Sequence, residues 1–140
     1  MSIAIPNDTA TLDIPRAQAV TGRVLSGLAI LFLLFDAIGK VLPPPQVVEG
    51  TTQLGWPASA LLTLGVIQLI CVAAYVWPRT AVFGAILWTG YLGGAIATHL
   101  RIGNPLFSHV LFPIYVAALL WGGLWLRDRR LRALIPFRAN

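Results

Sequence analysis

The sequence predicts an all-α protein, a four-helix transmembrane bundle with both termini cytoplasmic. Three observations predict it. Of the 140 residues, 57% are hydrophobic and only 11% charged, whereas soluble domains carry about a quarter charged residues. Four apolar runs, each near the roughly 20 residues a helix needs to cross a bilayer, are separated by short proline-bearing breaks. The arginines flank these runs unevenly, which sets an orientation. The length suits one compact unit. The single cysteine, Cys71, excludes an internal disulfide and any Cys-x-x-Cys pair. The net charge of +5 follows from the arginines at the segment ends, so it argues for membrane topology and against nucleic acid as a partner.

Residues 1–14 are expected as a flexible N-terminal tail, polar and without positive charge before Arg16. A signal peptide, with Leu25–Phe35 as its apolar region and Ala37-Ile38-Gly39 as its cleavage site, fits less well. Its leader would be long and poorly charged, and three further apolar segments follow. The first helix is predicted over about 15–42, with Asp13 as a cap candidate, Pro15 suited to the first turn, and Pro43-Pro44-Pro45 as its stop. It exceeds one bilayer crossing, so Arg16 to Arg23 should protrude. Loop 43–57 has room for a short surface helix carrying Glu49 and Gln53. The second helix, 58–77, is uncharged and lies between Trp56-Pro57 and Trp77-Pro78. The third, 79–98, begins directly after Pro78, so these two are antiparallel neighbours. The fourth, 106–127, has Pro113 inside it and His109 near its start. The membrane domain thus covers 15–128, and 129–140 forms a basic cytoplasmic tail.

Counting Lys and Arg by side gives Arg16, Arg23, Arg79, Arg127, Arg129, Arg130, Arg132 and Arg138 against Lys40 and Arg101. The positive-inside rule makes the eight cytoplasmic. Trp56, Trp77, Trp121 and Trp125 lie near segment ends, as interfacial tryptophans do, and Trp88 falls mid-segment.

Within this frame the polar residues are unusual. Asp36 and Lys40 stand four apart on the first helix, acid first, the better order for an ion pair along one face. An ionisable residue in lipid costs about 2.5–3.5 kcal/mol and is tolerated where it is paired and turned inward. Asp36 lies about 20 Å along the helix from Arg23, in the outer half. His99 and Arg101 close the third segment on that side, Asn104 and His109 open the fourth, and Gln68 alone falls near mid-membrane. A bundle with short connections gathers Asp36, Lys40, His99 and Arg101 at an outward-facing polar vestibule, with Trp88 and Tyr91 as its apolar wall. The cytoplasmic half is expected to be tightly packed and apolar. Small-residue stripes, Gly22-x3-Ser26, Gly90-x3-Gly94-x3-Thr98 and Ala118-x3-Gly122, are expected to mark helix contacts within the chain.

Asp36-Ala-Ile-Gly-Lys40, Leu54-Gly-Trp-Pro57, Leu64-Gly-Val-Ile-Gln68 and Thr98-His-Leu-Arg-Ile-Gly-Asn-Pro105, in this order and spacing, resemble the DoxX-like family over about residues 20–128. The resemblance implies a small four-span protein of the bacterial inner (plasma) membrane. It also implies an association with quinone-linked sulfur oxidation or membrane oxidoreductase complexes in some relatives, and chaperone-like roles in remote ones. Relatives often carry a glutamate where this chain has Gln68.

Two functional classes follow. In one, the chain is a quinone-linked or oxidoreductase-associated membrane subunit, with Asp36, Lys40, His99, Arg101, Gln68, Trp88 and Tyr91 binding an amphipathic molecule such as a quinone. In the other, it is a non-enzymatic lipid-binding, transport or chaperone-like protein whose Asp36–Lys40 pair locks the bundle. The first class needs a bound cofactor or a redox partner protein, transport by so few spans needs a homo-oligomer, and the lipid bilayer is a partner in both. His99 titrates near neutral pH and so suits proton transfer, or else caps its helix. Haem or a metal on His99 and His109 is disfavoured, because no ligand-spacing motif is present and Cys71 lies far inward.

Overall fold

Proline and glycine punctuate the chain, and helices fill the intervals. The computed structural model describes residues 13–135. Residues 1–12 of the expected N-terminal tail, and residues 136–140 with Arg138, lie outside them. Pro15 caps α1 (Arg16–Val41), which ends just before the three prolines. Pro45 then opens α2 (Pro45–Gln53), where a missing N–H costs nothing in a first turn. Gly55, at φ +84°, makes the turn that leads out of α2, a backbone conformation glycine adopts without steric cost. α3 (Ala60–Val76) ends at Trp77, ahead of Pro78. α4 (Ala81–Arg101) continues through His99 and Arg101 and stops just before Gly103, whose φ of +73° leaves the helical conformation.

The last apolar run is expected as one helix but divides. Pro113 has no N–H to donate, and the residues before it wind more widely, as a π-helical turn over Leu106–Val110. Val110 N donates to Pro105 O at 3.2 Å and Leu111 N to Leu106 O at 2.9 Å. α5 (Phe112–Arg127) follows. Asp128 then caps α6 (Arg129–Leu134), accepting from Arg130 N at 2.8 Å and Leu131 N at 3.1 Å. This part of the expected basic tail folds back. Leu131 is buried, and Arg132 donates to the carbonyls of Trp125 and Leu126 and to Gln18 Oε1.

The fold is all-α, with six helices among the described residues. Three segments, Arg16–Val41, Ala81–Arg101 and Leu106–Arg127, are long and apolar enough to cross a membrane, and Ala60–Val76 is a shorter apolar helix. These four pack in a closed ring, α1 on α3, α3 on α4, α4 on α5 and α5 on α1. Every neighbour is antiparallel. Gly65, near the start of α3, sits on Val41 and Ala37 at the end of α1, and Gly84 of α4 sits on Ala74 and Tyr75 at the end of α3. His109 meets His99 across α4 and the π-helical turn, and Phe32 meets Phe112 edge-to-face at 5.3 Å across α1 and α5.

Trp88, Tyr75, Leu120, Leu124 and Gln68 fill the centre. Burial of Trp88 accounts for its distance from the interfacial tryptophans. Leu28, Leu31, Phe35, Ile70, Phe83 and Ile86 stand exposed on the outer surface, far more apolar side chain than a water-facing surface carries singly.

The small-residue stripes behave differently from one another. Gly22 crosses Gly123 so closely that a Cβ on Gly22 would lie 2.6 Å from Gly123 O. A Cβ on Gly90, Gly94 or Gly122 would meet nothing within 4 Å, contrary to the expectation that these stripes mark helix contacts within the chain. The reason is rotational. Ala81, Ala85, Trp88 and Leu92 turn one face of α4 inward, which leaves Gly90 and Gly94 on the opposite face.

Candidate functional site

The end of the bundle where α1 and α4 finish and α3 and α5 start carries Asp36, Lys40, Gln68, His99, Arg101 and His109. Lys40 Nζ donates to Asp36 Oδ2 one turn back along α1. The same oxygen accepts from Gln68 Nε2 at 2.7 Å. Gln68 therefore does not stand alone at mid-membrane. Asp36 lies five residues, about 8 Å, from the end of α1, and Gln68 eight residues, about 12 Å, from the start of α3. Antiparallel packing through Gly65 brings these depths together. Gln68 is 1% exposed and its Oε1 has no partner.

On α4, Tyr91 packs edge-to-face on Trp88, with centroids 5.6 Å apart. Trp88 is fully buried and its Nε1 is unpartnered, so it belongs to the core and not to an open wall.

His99 and Arg101 have other partners. His99 Nδ1 is 2.7 Å from Asn104 Nδ2. The amide nitrogen only donates, so Nδ1 accepts and the neutral ring carries its proton on Nε2. The His109 ring packs edge-to-face on His99 at 5.7 Å, and Ser108 Oγ lies 2.8 Å from His109 Nδ1. Among the described residues no three metal-ligating side chains gather. Arg101 Nη2 donates to Leu54 O at 2.8 Å. It passes directly over Gly55, where a Cβ would come within 2.7 Å of it. Gly55, Trp56, Ala97, Thr98 and Arg101 line a groove of about 310 Å³. Hydrogen bonds thus bring Asp36, Lys40 and Gln68 together, and leave His99 and Arg101 in separate neighbourhoods at the same end.

Residues 24–123, which contain all seven expected site residues, match the DoxX-like family. The chain belongs to that family. It is a DoxX-like membrane protein, with helices long and apolar enough to lie against lipid. No curated protein and no solved structure matches it.

Sequence reasoning missed the backbone's part in this DoxX-like site. The Leu54 carbonyl that fixes Arg101 leaves no mark in residue type, although Gly55 beside it is a visible signal of close approach. It also missed polarity at the other end of the bundle, expected to be apolar. There Tyr75 OH donates to Leu120 O at 2.7 Å and accepts from Ser26 Oγ at 2.8 Å, and the Arg127 guanidinium lies 5.7 Å from the Tyr75 ring centre.

Proposed function

We propose that this DoxX-like protein spans the bacterial inner (plasma) membrane four times with both termini cytoplasmic. In this reading it holds the polar head of a quinone-like amphipathic molecule in the Arg101 groove on the outer side. The orientation is supported by the uneven distribution of Lys and Arg. The binding reading is carried by one observation: Arg101 is held by a single backbone acceptor beside an open groove. A guanidinium has five N–H donors, and the bond to Leu54 O uses one. The others are free to meet carbonyl oxygens of a ligand, with Thr98 as a second polar group and the Trp56 ring as an apolar surface. The groove's volume lies at the lower end of the roughly 300–1,000 Å³ of small-molecule sites. With one cysteine the chain has no dithiol to pass two electrons, so reduction of a bound quinone would draw on a partner redox protein.

The Asp36–Lys40–Gln68 cluster favours a second role in the same molecule. Its charges satisfy one another, so it acts as a latch between α1 and α3. Native mass spectrometry of the detergent-purified protein with a decyl-tailed benzoquinone tests the binding reading. One bound quinone is expected, with affinity falling by about tenfold in Arg101→Gln, equivalent to about 1.4 kcal/mol. Equal binding by that variant, or none by the parent, would leave the non-enzymatic lipid-binding or chaperone-like reading.

A further inference from the structure

We propose that the opposite end of the bundle, where α1 begins and α5 ends, binds the phosphate group of an anionic phospholipid. A groove of about 200 Å³ opens there, lined by Arg23, Ser26, Gly27, Ile30, Tyr75 and Arg127 among others. The Gly22–Gly123 crossing creates it, because the close approach of α1 and α5 sets Arg23 and Arg127 on one opening. Among the described residues neither arginine pairs with a carboxylate. Arg127 Nε is buried without a hydrogen-bond partner. Arg132, nearby, has three oxygens to itself, and Arg129 pairs with Asp13 at 3.0 Å. Two guanidinium groups on one opening, neither paired with a carboxylate and one with an unpartnered Nε, fit a tetrahedral oxyanion, which both forks can grip.

The rest of the groove indicates a lipid as the source of that phosphate. Gly27 has nothing within 4 Å of where its Cβ would be, and Ile30 continues the wall towards the middle of the bundle. From Arg23 to Ile30 is seven residues, about 10 Å along the helix, polar at one end and apolar at the other. Val24, Leu28 and Val76 around it are exposed on the outer, lipid-facing surface. No acid lines the groove to pair with a choline, and its two arginines favour an anionic headgroup over a zwitterionic one.

The test is a native mass-spectrometry titration of the full chain with phosphatidylglycerol, phosphatidylcholine and inorganic phosphate. One phosphatidylglycerol should be retained at least about tenfold more tightly than phosphatidylcholine. Arg23→Gln/Arg127→Gln should lose about that factor. Arg79→Gln/Arg130→Gln, which removes the same two charges elsewhere at this end, should hold within about twofold of the parent. Gly27→Leu, which projects into open groove and leaves the packing intact, should weaken binding even if the double arginine variant fails to fold. Equal losses in the two arginine pairs, equal binding of both lipids, or no effect of Gly27→Leu would each overturn the proposal. So would phosphate binding without phosphatidylglycerol binding.

Discussion

Asp36 has three roles to reconcile: it is a charge on a membrane helix, a partner for Lys40, and an acceptor for a fully buried amide on the next helix. Removing it leaves two donors stranded, whereas removing all three polar groups strands none. Leaving a buried polar group without a partner costs about 1–3 kcal/mol, and an apolar replacement of a whole pair is often neutral. Asp36→Leu alone should therefore destabilise the bundle by about 2 kcal/mol. Asp36→Leu/Lys40→Leu/Gln68→Leu should recover most of that loss. Denaturation in mixed detergent micelles measures both, and a triple variant weaker than the single one would contradict the stranded-donor account of the latch. The pair itself was legible in the sequence, because spacing of four on one helix fixes proximity. Its third member was not, because contact between helices depends on which residues face each other. Gly65, which sets that register, gives no hint of its partner.

Helix contacts in this bundle are decided by single glycines, and their effects separate cleanly. A Cβ on Gly123 would lie 2.8 Å from both Gly22 O and Ser26 N, which are backbone atoms that cannot move alone. Gly123→Ala should force α5 away from α1 and cost about 1–3 kcal/mol, as overpacking does. Gly90→Ala and Gly94→Ala meet open space, so they should be neutral or stabilise by up to about 1 kcal/mol through helix propensity. Unfolding midpoints of the three variants check this, and similar losses in all three would contradict the α1–α5 crossing. Helix ends were largely legible, because prolines at 15, 43–45 and 78 leave few alternatives. The division before Pro113 was not, since one proline is compatible with a kinked helix, a first turn or a wide turn, and packing against α4 selects among them. The inward face of α4 was likewise hidden, because a helix apolar on every side carries no amphipathic stripe from which to read its rotation.

At the scale of the molecule, composition and segment length were sufficient for an all-α membrane protein, and order and spacing of motifs for the family. The ring of antiparallel neighbours places the start of α1 and the end of α5 at one end, with Arg23, Arg79 and Arg127, while Lys40 and Arg101 lie at the other. In the proposed four-span arrangement, orientation in the bilayer is a single binary choice, and the charge rule favours the arginine-rich end inside. A cytoplasmic excess of Lys and Arg is expected because these residues resist translocation. Cysteine labelling in intact cells measures the outcome directly. Cys71 is buried at 3% exposure, so Cys71→Ala gives a background without a reactive thiol at about the cost of a small core truncation, on the order of 1 kcal/mol. In that background Gln53→Cys, exposed at the end of α2 next to the groove, should react with a membrane-impermeant maleimide. Arg130→Cys, exposed on α6, should react only after the cells are permeabilised. The opposite pattern would turn the bundle over. It would place the Arg101 groove towards the cytoplasm, where a ligand would have to arrive from the cell interior, and leave the arginine-rich end facing out against the charge rule. Labelling at both positions before permeabilisation would mean that the ring is not a four-span bundle. The proposed functions at its two ends would then lose the membrane geometry on which each depends.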